Sequence, residues 1–134
     1  MTIRQVNPPG VYDPSAYPMS QAAVDERNGY VFVSGQVAWD VNGKVHGTTY
    51  GAQTELALEN LAAVLAAAGT SPAEVVSIRV YLRGECEDHI AECVPPLAAF
   101  FGTTRPALTG IGVASLATKD TLVEIEVVAR SRVA

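Results

Sequence analysis

An apolar stripe with helical spacing limits what this chain can fold into. Apolar residues recur three or four positions apart over about residues 50–68, which places them on one face of an α-helix. They are Leu58, Leu61, Leu65 and Ala68. Gly69 is expected to end this helix, because glycine readily adopts the left-handed conformation that follows a helix C-terminus. A helix with one apolar face must bury that face, so a second layer of structure has to lie against it.

The residues on both sides of this helix alternate as strands do. Asn28 and Gly29 separate two apolar runs, at 22–24 and 30–33, and this dipeptide is typical of a tight β-hairpin. Residues 75–82 alternate apolar and polar side chains, which predicts a half-buried strand. A β-sheet is therefore the layer that we expect the helix to cover.

A second helix and two further strands are predicted in the C-terminal half. The helix ends near residue 102, and because proline in a helix interior removes a hydrogen bond, the helix either begins at Pro95-Pro96 or is kinked there. Residues 107–116 and 122–128 form the last two strands, joined by a polar turn. Together with a short strand near the N-terminus, this order predicts an α+β fold: a single sheet of about six strands with two helices on one face.

Length and charge narrow the class of protein. Residues 1–134 are expected to form one domain, and nine Lys and Arg against fourteen Asp and Glu give a net charge of −5. The basic residues are scattered, so we expect no nucleic-acid partner, because phosphate binding needs a positive face. The longest apolar run, residues 61–68, is far shorter than the roughly 20 residues that span a bilayer, and no secretory signal is evident. No membrane partner and a cytoplasmic location are expected.

Neither cysteine indicates a metal site. Cys86 and Cys93 have no second cysteine pair and no histidine at the spacing of zinc ligands. We therefore expect no metal and no cofactor.

The last strand carries two carboxylates on its polar face. Glu124 and Glu126 alternate with apolar residues, so both side chains point the same way, about 7 Å apart, where either could hold a water molecule. The pattern alone favours a strand that faces solvent, because charged residues are mostly exposed. Both interpretations stay open at this point.

Five segments occur in the order and spacing of a known family. They are SQAAV at 20–24, YVFVSGQV at 30–37, AQTELALENLAAVLAAAG at 52–69, VVSIRVYL at 75–82 and KDTLVEIEVVA at 119–129. Together they resemble the Rid/YjgF family of reactive-intermediate deaminases, also called endoribonuclease L-PSP, over nearly the whole chain. The resemblance implies a chorismate-mutase-like fold and a homotrimer with small-molecule clefts between subunits. It also implies hydrolysis of imines or enamines, such as 2-aminoacrylate, to a keto acid and ammonia.

The resemblance assigns roles to two residues that match the family pattern. Glu124, the first glutamate of VEIE, corresponds to the catalytic residue thought to position the attacking water. Gly35 of SGQ corresponds to a position whose backbone completes the ligand pocket. A carboxylate in such a pocket would have its pKa raised by desolvation, which suits acid-base work near neutral pH.

Other positions of the implied site depart from the family pattern. Leu108, in the segment PALT, stands where the family has the arginine that pairs with the substrate carboxylate, and Thr109 and Gly110 follow it. Met19 stands in place of a tyrosine, and Cys86 falls near a common asparagine. Because an aliphatic side chain cannot make a bidentate contact with a carboxylate, we expect an apolar cleft and a ligand without a carboxylate.

Two functions are compatible with these residues. The first is a hydrolase that uses Glu124 to position water on a carboxylate-free imine or enamine, and the second is a non-catalytic trimer that binds a small ligand or serves as a scaffold. Arg105, three residues before Leu108, could supply the missing charge from a loop, although odd spacing in an extended segment directs it to the opposite face. The acidic charge argues against a ribonuclease.

Overall fold

One mixed sheet forms the body of the structure, a computed structural model that describes residues 2–132. Its strands are β1 (Ile3–Val6), β2 (Ala22–Asp25), β3 (Tyr30–Gln36), β4 (Val75–Arg83), β5 (Ala107–Val113) and β6 (Val123–Arg130). Across the sheet they lie in the order β1-β2-β3-β6-β4-β5, and only the pair β4 and β5 is parallel among the described strands. Two helices cover one face, so the predicted α+β fold with a single sheet is confirmed.

The first helix, α1 (Tyr50–Ala67), matches the stripe seen in the sequence. Thr49 caps its N-terminus, since the Thr49 hydroxyl accepts a hydrogen bond of 3.1 Å from the Ala52 amide. Gly69 follows the C-terminus with φ +82°, as expected. The apolar stripe is fully covered by the sheet and forms the centre of the core.

The second helix, α2 (Cys86–Phe101), contains both prolines in its interior, so the alternative of a helix beginning at them is wrong. Proline removes the donors that would reach the carbonyl oxygens of Ala91 and Glu92. Ala91 and Glu92 are exposed as whole residues, but the Glu92 carbonyl oxygen lies against α1, where a Cβ atom added at Gly51 would be 3.3 Å from it. The helix nevertheless continues through both prolines to Phe101.

The last two strands, β5 and β6, are consecutive in the sequence but are not neighbours in the sheet. β4 lies between β5 and β6, parallel to the first and antiparallel to the second, so the connecting segment passes the end of β4. The strand bounds also differ from those predicted, because β5 ends at Val113 and β6 continues to Arg130. β6 is therefore an interior strand with a neighbour on each side.

The sheet face opposite the helices is left open by the chain. Phe32 on β3 is 51% exposed there, and Tyr81 and the two glutamates of β6 share this face. Val123, Ile125 and Val127, in between, are buried against the helices. The alternation predicted for β6 is thus observed, and it presents Glu124 away from the core.

Candidate functional site

A cavity of about 570 Å³ lies beside the open face, between the N-terminal segment 11–21, the end of β3 and the start of β6. Three of the predicted site residues line it: Met19, Gly35 and Glu124. They come from three separate parts of the chain, and pairing of β3 with β6 brings the last two together. This cavity is the candidate functional site.

Glu124 lies directly over the backbone of Gly35. A Cβ atom added at Gly35 would be 2.4 Å from Glu124 Oε2 and 2.5 Å from Cδ, well inside van der Waals contact. The β3–β6 ladder is irregular between Val33 and Gln36, so the backbone at Gly35 leaves the regular register where the carboxylate sits. Glycine at this position leaves space for the Glu124 carboxylate, and its φ angle is not positive.

The two carboxylates of β6 lie in different environments. Burial raises the pKa of Glu124, and the negative charge of Glu126 raises it further. No group of residues 2–132 donates a hydrogen bond to the Glu124 carboxylate, which is half-buried. Glu126, in contrast, accepts a hydrogen bond from the Tyr81 hydroxyl and lies 3.5 Å from the Arg79 guanidinium.

The two carboxylates whose role the sequence left open differ in their surroundings. Glu126 lines a separate, wider hollow of about 800 Å³ on the open face and has the partners of a structural residue. Hydrogen bonding to Glu126 also raises the pKa of Tyr81. Glu124 has the environment of a group that can exchange a proton, since unequal surroundings separate the roles of paired carboxylates.

Polar side chains in the cavity wall are already hydrogen-bonded to each other. Gln36 Nε2 donates to Gln21 Oε1 at 2.8 Å and to the Ser34 carbonyl at 3.0 Å. Gln21 Nε2 in turn donates to the Tyr12 carbonyl at 2.8 Å. These bonds fasten segment 11–21 to β3, so both glutamines shape the cavity without offering these donors to a ligand.

Aromatic side chains form another part of the wall. The rings of Tyr12 and Trp39 meet edge to face with centroids 5.2 Å apart, and both residues line the cavity. Trp39 Nε1 donates to the Thr121 hydroxyl at 3.1 Å, and Asn60 Nδ2 donates to the Trp39 carbonyl at 3.0 Å. The Thr121 bond and the Tyr12 ring therefore hold the indole, and the Asn60 bond holds the Trp39 backbone.

Sequence reasoning assigned no site role to Tyr12, Trp39, Gln21 or Gln36. Their hydrogen bonds and ring contacts join segments that are distant in the sequence, so no local periodicity reveals them. The available signal was position: Gln36 directly follows Gly35, Trp39 lies three residues after Gln36, and Gln21 precedes the first hairpin strand.

The remaining predicted residues lie elsewhere in a single chain. Leu108 and Thr109 are exposed on β5, the strand at the sheet edge, with β4 between them and β6. Gly110 faces α2, where a Cβ added to it would be 3.3 Å from Cys86 Sγ. One chain thus divides the predicted site into two groups, one around Glu124 and one along β5.

Arg105 does not enter the cavity. Its Nη1 donates to the carbonyls of Gly102 at 2.5 Å and Thr104 at 2.9 Å, and the side chain is exposed. Arg83, on the same sheet face as Tyr81, is held by the carbonyls of Thr118 and Thr121. Among residues 2–132, no Lys, Arg or His lines the cavity.

A metal-binding cluster and a membrane-spanning helix are both absent from the described residues. No group of three or more His, Cys, Asp or Glu side chains within 2–132 is arranged to hold a metal ion. In the same part of the chain, neither helix has the length and apolar character needed to cross a membrane.

Comparison with known proteins places the whole fold in one family. The sequence model of the family described as endoribonuclease L-PSP matches residues 13–131. A RutC family protein of Pyrococcus horikoshii is 34% identical over 113 residues, which cover 84% of this chain and 86% of that protein. The mitochondrial protein MMF1 of Saccharomyces cerevisiae is 32% identical over 116 residues, covering 87% and 77%. Cytoplasmic location stays a prediction, since this relative is mitochondrial.

Solved structures agree with the sequence match. The crystal structure of YyfA from Yersinia pestis, a protein of unknown function of the conserved Rid protein family, matches with a TM-score of 0.84 and 30% identity. The match covers 96% of this chain and 98% of YyfA. The chain belongs to the Rid/YjgF family, the family also described as endoribonuclease L-PSP.

Proposed function

We propose that this protein is a Rid-type hydrolase that acts on a small imine or enamine without a carboxylate. Family membership supports a small-molecule-binding or deaminase-type role in general. One observation carries the finer proposal: the Glu124 carboxylate is half-buried, has no hydrogen-bond donor among residues 2–132, and lines a cavity where those residues place no cation.

The proposed chemistry needs one group that takes and returns a proton. Glu124 accepts a proton from a water molecule as the water oxygen bonds to the carbon of the protonated imine and the C=N π pair moves to the nitrogen, which gives a neutral carbinolamine. Glu124 then returns this proton to the nitrogen. The C–N bond breaks, ammonia leaves with the bonding pair, and the hydroxyl proton passes to Glu124 as the carbonyl forms; ammonia or solvent water then takes that proton and restores the carboxylate. The raised pKa of Glu124 makes the carboxylate a better base than an exposed one, because a proton acceptor works best with a pKa closer to the working pH.

We further propose that the working form is a homotrimer with the site between protomers. The separation of Leu108, Thr109, Gly110 and Cys86 from Glu124 within one chain supports this, since a neighbouring protomer could bring its β5 edge to the cavity. Leu108 is 49% exposed and Phe32 is 51% exposed, and apolar side chains of this size favour burial in an interface. Light scattering after gel filtration should give three times the chain mass of 14.1 kDa.

Ammonia release tests the hydrolase directly. The probe is an imine without a carboxylate, generated in place from its amine by an amine oxidase in excess. Wild type should release ammonia faster than the uncatalysed background, and Glu124→Gln should abolish the acceleration. Glu55→Gln is the matched control, because Glu55 is an exposed carboxylate on α1, and it should keep the wild-type rate. Equal rates for wild type and Glu124→Gln would refute the proposal.

Leu108→Arg tests the inferred loss of substrate-carboxylate binding. If the missing guanidinium is the main difference from related deaminases, this variant should gain activity on 2-aminoacrylate, measured as ammonia release. A charge-assisted contact of this kind contributes about 1.5–3 kcal/mol, so the gain should be at least about tenfold. No gain would show that other residues exclude this substrate.

A non-catalytic ligand-binding trimer is the second candidate. The wall glutamines are hydrogen-bonded to each other and to backbone groups, so these donors do not assist Glu124 in catalysis. This arrangement favours the second function. Ligand binding with no acceleration of imine hydrolysis would support this function.

A further inference from the structure

The cavity that holds Glu124 has an unusual combination of wall groups. Tyr12 and Trp39 are fixed against each other, while Tyr17 and Met19, also in the wall, are 59% and 44% exposed. Flat aromatic groups pack well on such a surface and gain from edge-to-face contact. The wall therefore suits a ligand with an aromatic or similarly flat apolar part.

The charge available to a ligand in this cavity is negative. Glu124 is the one ionisable carboxylate or amine group among the cavity-lining residues within 2–132. Arg83 and Arg105 are hydrogen-bonded to backbone carbonyls, and the wall amides of Gln21 and Gln36 are hydrogen-bonded as well. Among the residues that one chain places here, a ligand anion would meet a carboxylate with no compensating cation, whereas a ligand cation would meet an unpaired acceptor.

Aromatic faces and a carboxylate favour the same type of ligand. A positively charged nitrogen is attracted by the electron-rich faces of Trp and Tyr rings. Its N–H groups can also donate charge-assisted hydrogen bonds to a carboxylate. Partial burial strengthens both interactions, because less water competes for the charge.

We infer that this cavity selects a protonated nitrogen, as an ammonium or iminium ion, attached to an aromatic or other flat apolar group. The inference rests on the proposed function in one respect: it assigns the substrate class to the same cavity and to Glu124. An iminium ion is also the form of an imine that water attacks most readily, so this selectivity would serve the proposed hydrolysis.

Trp39 provides a direct readout, because it is the single tryptophan of the chain and lines the cavity. Wild type is titrated at neutral pH with benzylamine, benzyl alcohol and benzoate, which share a ring and differ in charge. Tryptophan fluorescence follows binding, and calorimetry repeats each titration independently of Trp39. Benzylamine should bind at least about tenfold more tightly than benzyl alcohol, and benzoate should bind most weakly.

Glu124→Gln is the decisive variant, with Glu55→Gln as the control. The first should bring the ratio of benzylamine to benzyl alcohol affinity close to one, and the second should leave the ratio unchanged. Circular dichroism confirms that each variant is folded. Benzoate binding as tightly as benzylamine, or a charge preference that survives in Glu124→Gln, would overturn the inference.

The outcome separates this inference from the proposed function. Imine hydrolysis that depends on Glu124, without preference for benzylamine, would overturn the ligand class and leave the hydrolase standing. Preferential binding of benzylamine without hydrolysis would support the ligand class and favour the non-catalytic function. Absence of binding by all three probes in both titrations would overturn the inference.

Discussion

Replacing Gly35 by alanine should displace the Glu124 carboxylate while the fold persists. The new Cβ would lie 2.4, 2.5 and 2.7 Å from Oε2, Cδ and Cγ of Glu124. Ordinary contacts between such atoms are about 3.5–4.0 Å, so the end of the Glu124 side chain has to move by roughly 1 Å or more. The backbone at Gly35 does not need to change, because its φ is not positive.

The expected cost in stability is small. A side chain forced away from its preferred rotamer costs about 0.5–1.5 kcal/mol. Alanine in a strand is favoured over glycine by roughly 0.5–1 kcal/mol, which offsets much of this cost. The free energy of unfolding should therefore change by no more than about 1 kcal/mol, whereas a displacement of about 1 Å at a reacting group can reduce the rate about 100-fold.

Three measurements test this prediction on Gly35→Ala: urea unfolding, ammonia release from a carboxylate-free imine, and benzylamine titration. Gly10→Ala is the matched control, since a Cβ added there meets no atom within 4 Å. In a Glu124→Ala background, Gly35→Ala should have no further effect on rate, because the group it displaces is absent. Retention of the wild-type rate by Gly35→Ala would refute the assignment of Glu124 as the working carboxylate.

Three further predictions follow from the described contacts. The pKa of Glu124 lies above its ordinary value of 4.5, so the folded state holds this proton more tightly than the unfolded state and loses stability as the pH rises above 4.5. At pH 7, Glu124→Gln should therefore unfold at a higher temperature than wild type. The difference in unfolding temperature should vanish below pH 4.5. Glu126→Gln should lower the pKa of Glu124 only part of the way to 4.5, because burial is the larger cause; a carbon-13 titration that shows no change would contradict this coupling. Gln53→Leu leaves the Gly47 and Asp120 carbonyls and the Leu122 amide without their buried partner, at a cost of about 1–3 kcal/mol per group. Urea unfolding of this variant should show a loss of at least about 3 kcal/mol in the free energy of unfolding. The control Gln5→Leu, at an exposed position, should change that free energy by less than about 0.5 kcal/mol.

Elements governed by local patterns were predictable from the sequence. The α1 stripe and its Gly69 terminus depend on residues within a few turns of each other, and so does the alternation around Glu124 on β6. The topology was not predictable in this way. The position of β4 between β5 and β6 depends on pairing across many residues, and α2 runs through two prolines that local rules would place at a helix start or a kink.

The candidate site was predictable only where a short motif marked it. Gly35, Met19 and Glu124 were identified through their resemblance to family positions, and the structure brings them to one cavity. The Tyr12–Trp39 pair and the Gln21–Gln36 pair carry no such mark, because each contact is formed only when the N-terminal segment folds back on β3. The environment that distinguishes Glu124 from Glu126 is likewise a three-dimensional property.

The cavity is assembled from a sheet strand and a segment without regular secondary structure. Its acid stands on β6, an interior strand whose alternate side chains build the core, whereas Tyr12, Tyr17 and Met19 stand on a segment outside every strand and helix. Tyr17 and Met19 are exposed, so substitutions at these two positions would change the cavity wall without disturbing the buried framework. If the proposed function is correct, selectivity could diversify among descendants in this way while Glu124 and its supporting strand are inherited unchanged.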